Sequence, residues 1–384
     1  MFKVAIDATP VAPKPSGVGY YVANLIHGLY SLQETENFYL GIAYQPSLKN
    51  WLRRDLSFPP ELSHYLNLCM LPLPVRLYNL LVATSYKPAL EYYEQYLGNP
   101  DIVHGTNYSV YPCKHSLKVM NIYDLSFIKY PQYTNTVVKT YHQQIKKNLQ
   151  WTDLVLTISE SSKQDIVNYL EFEPNKVVVT PLASRYLSNP KEPPAVNYDF
   201  SRPYLLFVST LEPRKNIITL INAFNYLKQR YKIEHNLILI GQKGWQYKPI
   251  FQAIASSPWF DCIHHLDYLP DELVALFYTK ADVFVYPSYY EGFGLPVLEA
   301  MTLGAPVVTS NTSSLPEVAG DAAILVDPND VISLAEAILR VVSDRTLRNE
   351  LIIKGKAQAK LYSWERTAKE TLNAYKTMQG NSSF

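Results

Sequence analysis

The chain is poor in cysteine, in glycine and in net charge. Cys69, Cys113 and Cys262 are its 3 cysteines, far apart and without a C-x-x-C pair. That count and spacing exclude a disulfide framework and a structural zinc site, and they fit a reducing compartment. Lysine and arginine total 35 against 34 aspartates and glutamates, a formal net charge of +1. Overall electrostatics therefore gives no case for nucleic acid or an acidic partner. The sequence has no D-x-D and no His/Cys cluster at ligand spacing, so neither a metal nor a resident cofactor is expected. It also has no run of 18 apolar residues to span a membrane. Met1-Phe2-Lys3-Val4-Ala5-Ile6-Asp7 lacks the basic stretch and long apolar core of a secretion signal. A soluble, cytoplasmic protein is expected.

What is present describes an ordinary globular chain. Its 384 residues are 47% hydrophobic and 13% aromatic, which excludes disorder and suggests two domains with substantial cores. The 31 tyrosines are scattered and indicate no function by themselves.

Short Val/Ile-rich runs alternate with helical patterns, the mark of parallel α/β architecture. Strands are expected at Phe2–Asp7, Phe38–Tyr44, Ile102–His104, Val119–Tyr123, Leu154–Ile158 and Lys176–Thr180. Helices are expected at Gly19–Tyr30, Thr136–Gln150 and Ser161–Leu170, the last with capping hydroxyls on Ser159, Ser161 and Ser162. Ser188-Asn189-Pro190-Lys191-Glu192-Pro193-Pro194 has no period and reads as a linker. The alternation then restarts, with strands at Tyr204–Ser209, Leu237–Gly241, Cys262–Leu266, Val283–Tyr286 and Pro306–Thr309. The expected fold is α/β: two Rossmann-like domains facing across a cleft. Ligands in open parallel sheets bind outside the carboxyl ends of the strands.

Asp282 to Met301 is the most informative segment. A buried strand ends at Pro287, a loop with two glycines follows, and Pro296 stands where a helix would begin, with Gly304 to close it. Glu291 then lies in the loop and Glu299 in the first helical turn. Gly292 and Gly294 allow backbone N–H groups to approach a ligand, and the helix N-terminus favours an anion. Carboxylates for hydroxyls beside a dipole for phosphate is the chemistry that a nucleotide-sugar requires. The plain alternative is an αβ loop with Glu291 solvated and Glu299 stabilising the helix.

Glu291 and Glu299 are separated by seven intervening residues within E-G-F-G-L-P-V-L-E. This resembles the signature of the retaining glycosyltransferases of family 4, the glycosyl transferases group 1. The resemblance covers nearly the whole chain. Leu211-Glu212-Pro213-Arg214-Lys215-Asn216 follows the first strand of the second half, as in that family. Leu266–Leu273, with Tyr268 and Leu269, looks like its nucleobase loop, and Ser314–Gly320 like the segment after the sugar site. Ser363-Trp364-Glu365 would open a C-terminal helix that crosses back to the first domain. Asp124-Leu125-Ser126-Phe127 and Leu211–Asn216 are similar to mannosyltransferase-like members. The implied fold is GT-B, with 1–187 as the acceptor-side domain joined by the helix at 363–384, a linker at 188–202, and 203–362 binding the nucleotide-sugar.

The resemblance implies a donor site of Gly17, Tyr268, Leu269, Gly292, Phe293, Gly294, Leu295 and Glu299, with Asp124, Arg214, Lys215 and Glu291 as catalytic residues. Arg214 and Lys215 suit that role independently, because two cations stabilise the charge growing on a leaving pyrophosphate. Gly17 belongs to Pro15-Ser16-Gly17-Val18-Gly19-Tyr20, a G-x-G that could turn toward the phosphates or simply join strand to helix. Where relatives often carry a sugar-contacting His before the Asp, this chain has Tyr123. Its hydroxyl can donate a hydrogen bond but does not titrate near neutrality. His104, at the end of a short strand, is either a satisfied structural residue or a second residue on the acceptor or sugar side.

The expected activity is transfer of a sugar, mannose from GDP-mannose, to a hydroxyl of a glycan or lipid-linked acceptor. No covalent nucleophile is evident, so same-face attack with the leaving phosphate as base is favoured. The alternatives are a nucleotide-sugar epimerase on the same fold and a non-catalytic nucleotide-sugar-binding protein. The basic face around Val138–Lys147 would allow peripheral contact with the inner membrane face, against the simpler reading of a solvated surface.

Overall fold

The computed structural model describes residues 1–12, 17–75, 77, 93–133, 139–186 and 198–381. The expected linker Ser188–Pro194, Pro15-Ser16 of the glycine turn and the start of the helix expected from Thr136 lie outside them. Among the described residues, two parallel sheets carry the fold. The first contains β1 (Phe2–Asp7), β2 (Phe38–Tyr44), β3 (Leu68–Met70), β4 (Ile102–Gly105), β5 (Leu117–Asn121), β6 (Leu154–Thr157) and β7 (Val177–Val179), in the order β3-β2-β1-β4-β5-β6-β7. The second contains β8 (Tyr204–Val208), β9 (Asn236–Ile240), β10 (Ile263–Leu266), β11 (Val283–Tyr286), β12 (Val307–Ser310) and β13 (Ala323–Val326), in the order β10-β9-β8-β11-β12-β13. In each sheet the strand order reverses beside the first strand. That is where a doubly wound sheet opens a crevice for ligand.

Central strands β4, β6, β9, β11 and β12 are buried along their whole length. Helices covering both faces require this, which is why these strands read as continuous Val/Ile/Leu runs. β5 starts two residues earlier than the Val119 expected from the sequence, at Leu117.

The C-terminal helix Trp364–Asn381 packs on the helix Gly17–Leu32 of the first half. A Cβ added at Gly28 would fall 2.7 Å from that of Ala368, so the helices cross on small residues. Trp364 lies against Tyr20 and Tyr21, and Thr367 donates to the Pro181 carbonyl at 2.6 Å. The last helix of the chain thus returns to the first sheet, as GT-B architecture requires.

Candidate active site

The strand β11 ends at Tyr286 and delivers a loop, Pro287–Gly294, that no side-chain cap terminates. Gly294 sits at φ +102° and opens the helix Leu295–Leu303, with Pro296 at its second position. A residue with a Cβ would be strained there. The N–H groups of Gly292, Phe293, Gly294 and Leu295 meet no acceptor among the described residues. Leu295 and its N-cap Gly294 open the helix and Gly292 and Phe293 lead into it, so these donors are available to an anion.

Beside them lies a buried quartet of charges. Glu291 Oε1 lies 2.6 Å from Lys215 Nζ, 2.7 Å from Ser288 Oγ and 3.0 Å from the Tyr286 hydroxyl. Its Oε2 is 3.2 Å from Arg214, which also pairs with Glu212 at 2.8 Å. Burial opposes the Glu291 charge, but Lys215, Arg214 and the hydrogen bonds outweigh it and hold the carboxyl down at about 2. Burial and the Arg214 charge push the Lys215 ammonium below its ordinary value, and Glu291 and Glu212 oppose them. Burial raises Glu212 against the pull of Lys215 and Arg214. Asn216, in the left-handed region at φ 57°, locks this corner by donating to the carbonyls of Pro287 and Pro328. Glu291 is therefore no solvated loop residue: it neutralises the two cations.

Glu299 sits elsewhere than expected. The helix begins at Leu295, so Glu299 is its fifth residue and lies beyond the first turn. Its buried carboxylate accepts from Arg185 Nε at 2.6 Å, and Arg185 also reaches Asp271 at 3.2 Å. Burial raises the Glu299 pKa despite that partner. Sequence reasoning missed Arg185. It is a lone basic residue after β7, and only the meeting of the two halves gives it a partner.

Asp124 is brought to the donor loop. A Cβ on Gly292 would stand 2.7 Å from Asp124 Cβ and 3.0 Å from the Tyr123 carbonyl. Glycine at 292 is thus needed for close approach of the two halves. Gly17 opens the helix Gly17–Leu32, and an added Cβ there would meet nothing within 4 Å among the described residues. Phe293 is buried against Tyr362, Leu269 packs on the core and Tyr268 is 67% exposed.

Two assignments need correction. His104 is fully buried, with Nδ1 2.7 Å from the Tyr375 hydroxyl and Nε2 2.7 Å from Asn121 Oδ1. Asn121 Nδ2 donates to Tyr21, so its Oδ1 accepts from Nε2–H and Nδ1 accepts from Tyr375. Burial drops the imidazole to about 4. His104 is a satisfied core residue tying the C-terminal helix to β4, with no nitrogen left for a sugar. Tyr123, 6% exposed, spends its hydroxyl proton on the Thr106 carbonyl, so it has none to donate to a ligand.

The loop is also gripped from the first half. Ser159 and Ser162 hydroxyls reach the Gly292 carbonyl at 2.6 and 3.1 Å. Tyr290 donates to Asp165 at 2.8 Å. Glu317 accepts from the backbone of Glu160 and Ser161, closing the N-terminus of the helix Glu160–Leu170. The sequence offers Ser159 and Ser162 as capping hydroxyls; Ser159 alone caps, and the grip of both on Gly292 is not legible in it. No group of three or more His, Cys, Asp or Glu among the described residues could hold a metal ion, and no described helix is long and apolar enough to cross a membrane.

Comparison with known proteins agrees with this architecture. The family described as "Glycosyl transferases group 1" matches residues 189–358. An O-antigen chain mannosyltransferase B from Escherichia coli is 34% identical over 388 residues, spanning 98% of this chain and 100% of the relative. An MMP alpha-(1->4)-mannosyltransferase from Mycolicibacterium hassiacum is 33% identical over 227 residues, 58% of this chain and 53% of the relative. Sucrose-phosphate synthase from Thermosynechococcus elongatus superposes with a TM-score of 0.75 at 20% identity, covering 99% of this chain and 100% of that one. Anabaena HepE in complex with UDP and glucose gives 0.67 at 16% identity, covering 98% and 100%. At such identities the solved structures speak for the fold alone. With two Rossmann-like sheets, a returning C-terminal helix and full-length similarity at 34% identity, the chain belongs to the glycosyl transferases group 1 and is a glycosyltransferase of GT-B fold.

Proposed function

We propose that this enzyme transfers mannose from GDP-mannose to a hydroxyl of a glycan or lipid-linked acceptor, with retention of configuration and without a metal ion. The observation that carries this reading is the run of N–H groups at 292–295 that meet no acceptor among the described residues, beside Arg214 and Lys215. A diphosphate carries about two negative charges and gains more as the glycosidic bond breaks. Preorganised cations and a helix dipole favour that charge, the service a divalent ion performs elsewhere. The mannosyltransferase names of the two relatives support the sugar.

In this reading Glu299 receives the ribose hydroxyls and Glu291 the hydroxyls of the transferred sugar, while Tyr268 and Leu269 flank the nucleobase. Asp124, against Gly292, orients the acceptor hydroxyl. The quartet offers no free carboxylate as a nucleophile, because Glu291 is engaged by Lys215, Ser288, Tyr286 and Arg214. This supports same-face attack, with the leaving phosphate taking the acceptor's proton.

The test is transfer from GDP-mannose to mannose-terminated oligosaccharides in excess chelator, with the product anomer read by NMR. Retained α-configuration and full rate in chelator support the reading. Inverted product, or activity lost and restored by Mg²⁺ or Mn²⁺, overturns it. An altered sugar formed without acceptor indicates an epimerase, and tight binding without GDP release a non-catalytic binder.

A further inference from the structure

Ser159 precedes the helix Glu160–Leu170 and caps it by accepting from the Ser162 N–H at 3.0 Å. An N-cap hydroxyl that accepts in this way still has its own proton to give. Here it goes to the Gly292 carbonyl, 2.6 Å away, and Ser162 adds a second hydroxyl at 3.1 Å. Both serine side chains are buried. Two donors from the first half therefore converge on one carbonyl oxygen of the donor loop in the second.

A peptide unit is planar, so its carbonyl and the following N–H point in opposite directions. Fixing the Gly292 carbonyl fixes the direction of the Phe293 N–H, one of the donors that meet no acceptor among the described residues. The 290–291 peptide, two units back, is pinned from within the second half. Arg214 donates to the Tyr290 carbonyl at 2.5 Å, and the Glu291 N–H donates to Ser313 at 2.9 Å. The 290–291 unit is thus set by its own domain, and the 292–293 unit by the other. Glu317 reinforces the junction by accepting from the Glu160 and Ser161 N–H groups at the same helix end.

We propose that Ser159 and Ser162 are positioning residues: by holding the Gly292 carbonyl they aim the Phe293 N–H at the leaving phosphate, and only when the two halves are closed. Donor binding to the second half alone would leave this donor unaimed. Closure would thus complete the anion site at the moment the acceptor side arrives, which guards the donor against water. The inference rests on the reading of the loop as the diphosphate site.

The experiment compares wild type with Ser162→Ala, Ser162→Thr and the Ser159→Ala/Ser162→Ala double variant. Turnover with GDP-mannose, calorimetric affinity for GDP and thermal midpoint are measured for each. The double variant should lose about tenfold to a hundredfold in kcat. That is less than deletion of an oxyanion donor, because the N–H is misaimed rather than removed. GDP affinity should change by less than about threefold, since the ground state needs the N–H less than the transition state. Ser162→Ala keeps the Ser159 cap, so it carries the test if the double variant does not fold, and Ser162→Thr should restore its kcat. An unchanged kcat overturns the proposal, as does a kcat loss matched by equal losses of GDP affinity and thermal midpoint. Wild type that neither binds GDP nor uses GDP-mannose would overturn the diphosphate reading itself.

Discussion

Lys215 Nζ stands 2.6 Å from Glu291 Oε1, with both side chains nine-tenths buried at the carboxyl edge of the second sheet. Arg214 and Glu212 complete the group, so two positive and two negative charges cancel there. A charged ligand entering this corner meets cations already held in place, and a carboxylate that must share them.

The carboxyl of Glu291 is held at about 2, below its ordinary value, because Lys215 and Arg214 outweigh burial. A depressed carboxylate contributes stability above its unfolded pKa and loses it as pH falls through the folded value. At pH 7 that contribution is on the order of 3 kcal/mol. Urea unfolding of wild type and Glu291→Gln should show it. The wild-type advantage at pH 7 should shrink by about 1 kcal/mol at pH 3.5, and a constant difference would contradict the assignment.

Arg214→Ala and Lys215→Ala should each lower kcat roughly a hundredfold, since their charge matters most as the phosphate leaves. Steady-state kinetics checks this. Weakened donor affinity at unchanged turnover would put both residues outside the reaction centre.

Arg185 occupies the carboxylate assigned to ribose, so its loss should show in the pH dependence of binding. Burial already raises Glu299, and Arg185 restrains it. Without the guanidinium the pKa moves further up, and Glu299 becomes protonated at higher pH. GDP affinity of Arg185→Ala should therefore begin to weaken at a higher pH than that of wild type as the solution is acidified, by the linkage of charge to binding. Parallel profiles by calorimetry would contradict this.

Gly292 and Gly17 make opposite cases. Gly292→Ala drives a Cβ within 2.7 Å of Asp124, so closure and transfer should fail while GDP still binds. Gly17→Ala meets no atom within 4 Å among the described residues. Thermal melts should find it as stable as wild type, and any loss of donor use would then report a ligand in that space.

Much of this architecture was legible in the residues. Val283–Tyr286, Phe2–Asp7 and Phe38–Tyr44 match their strands at both ends, because each is an apolar run cut by turn residues. Two edge strands were not read. β3 has three half-exposed residues, too few for a period, and β13 is a four-residue run after a turn. The Glu291 corner was legible because its residues lie in two short segments. His104 and Tyr123 were not, since their partners Tyr375 and Thr106 lie 271 and 17 residues away. For the same reason nothing local marks Arg185, whose partner is 114 residues on.

Calorimetry of Glu291→Ala and Glu299→Ala, each with GDP and with GDP-mannose, tests the division of the site most directly. A hydrogen bond to a charged group contributes roughly 1.5–3 kcal/mol, or about tenfold to a hundredfold in affinity. Glu299→Ala should lose that much for GDP and GDP-mannose alike. Glu291→Ala leaves Lys215 and Arg214 less neutralised, so GDP affinity should hold or rise while GDP-mannose loses its advantage over other sugar donors. The reverse pattern would exchange the two roles, and four unchanged affinities would move the donor site away from this loop.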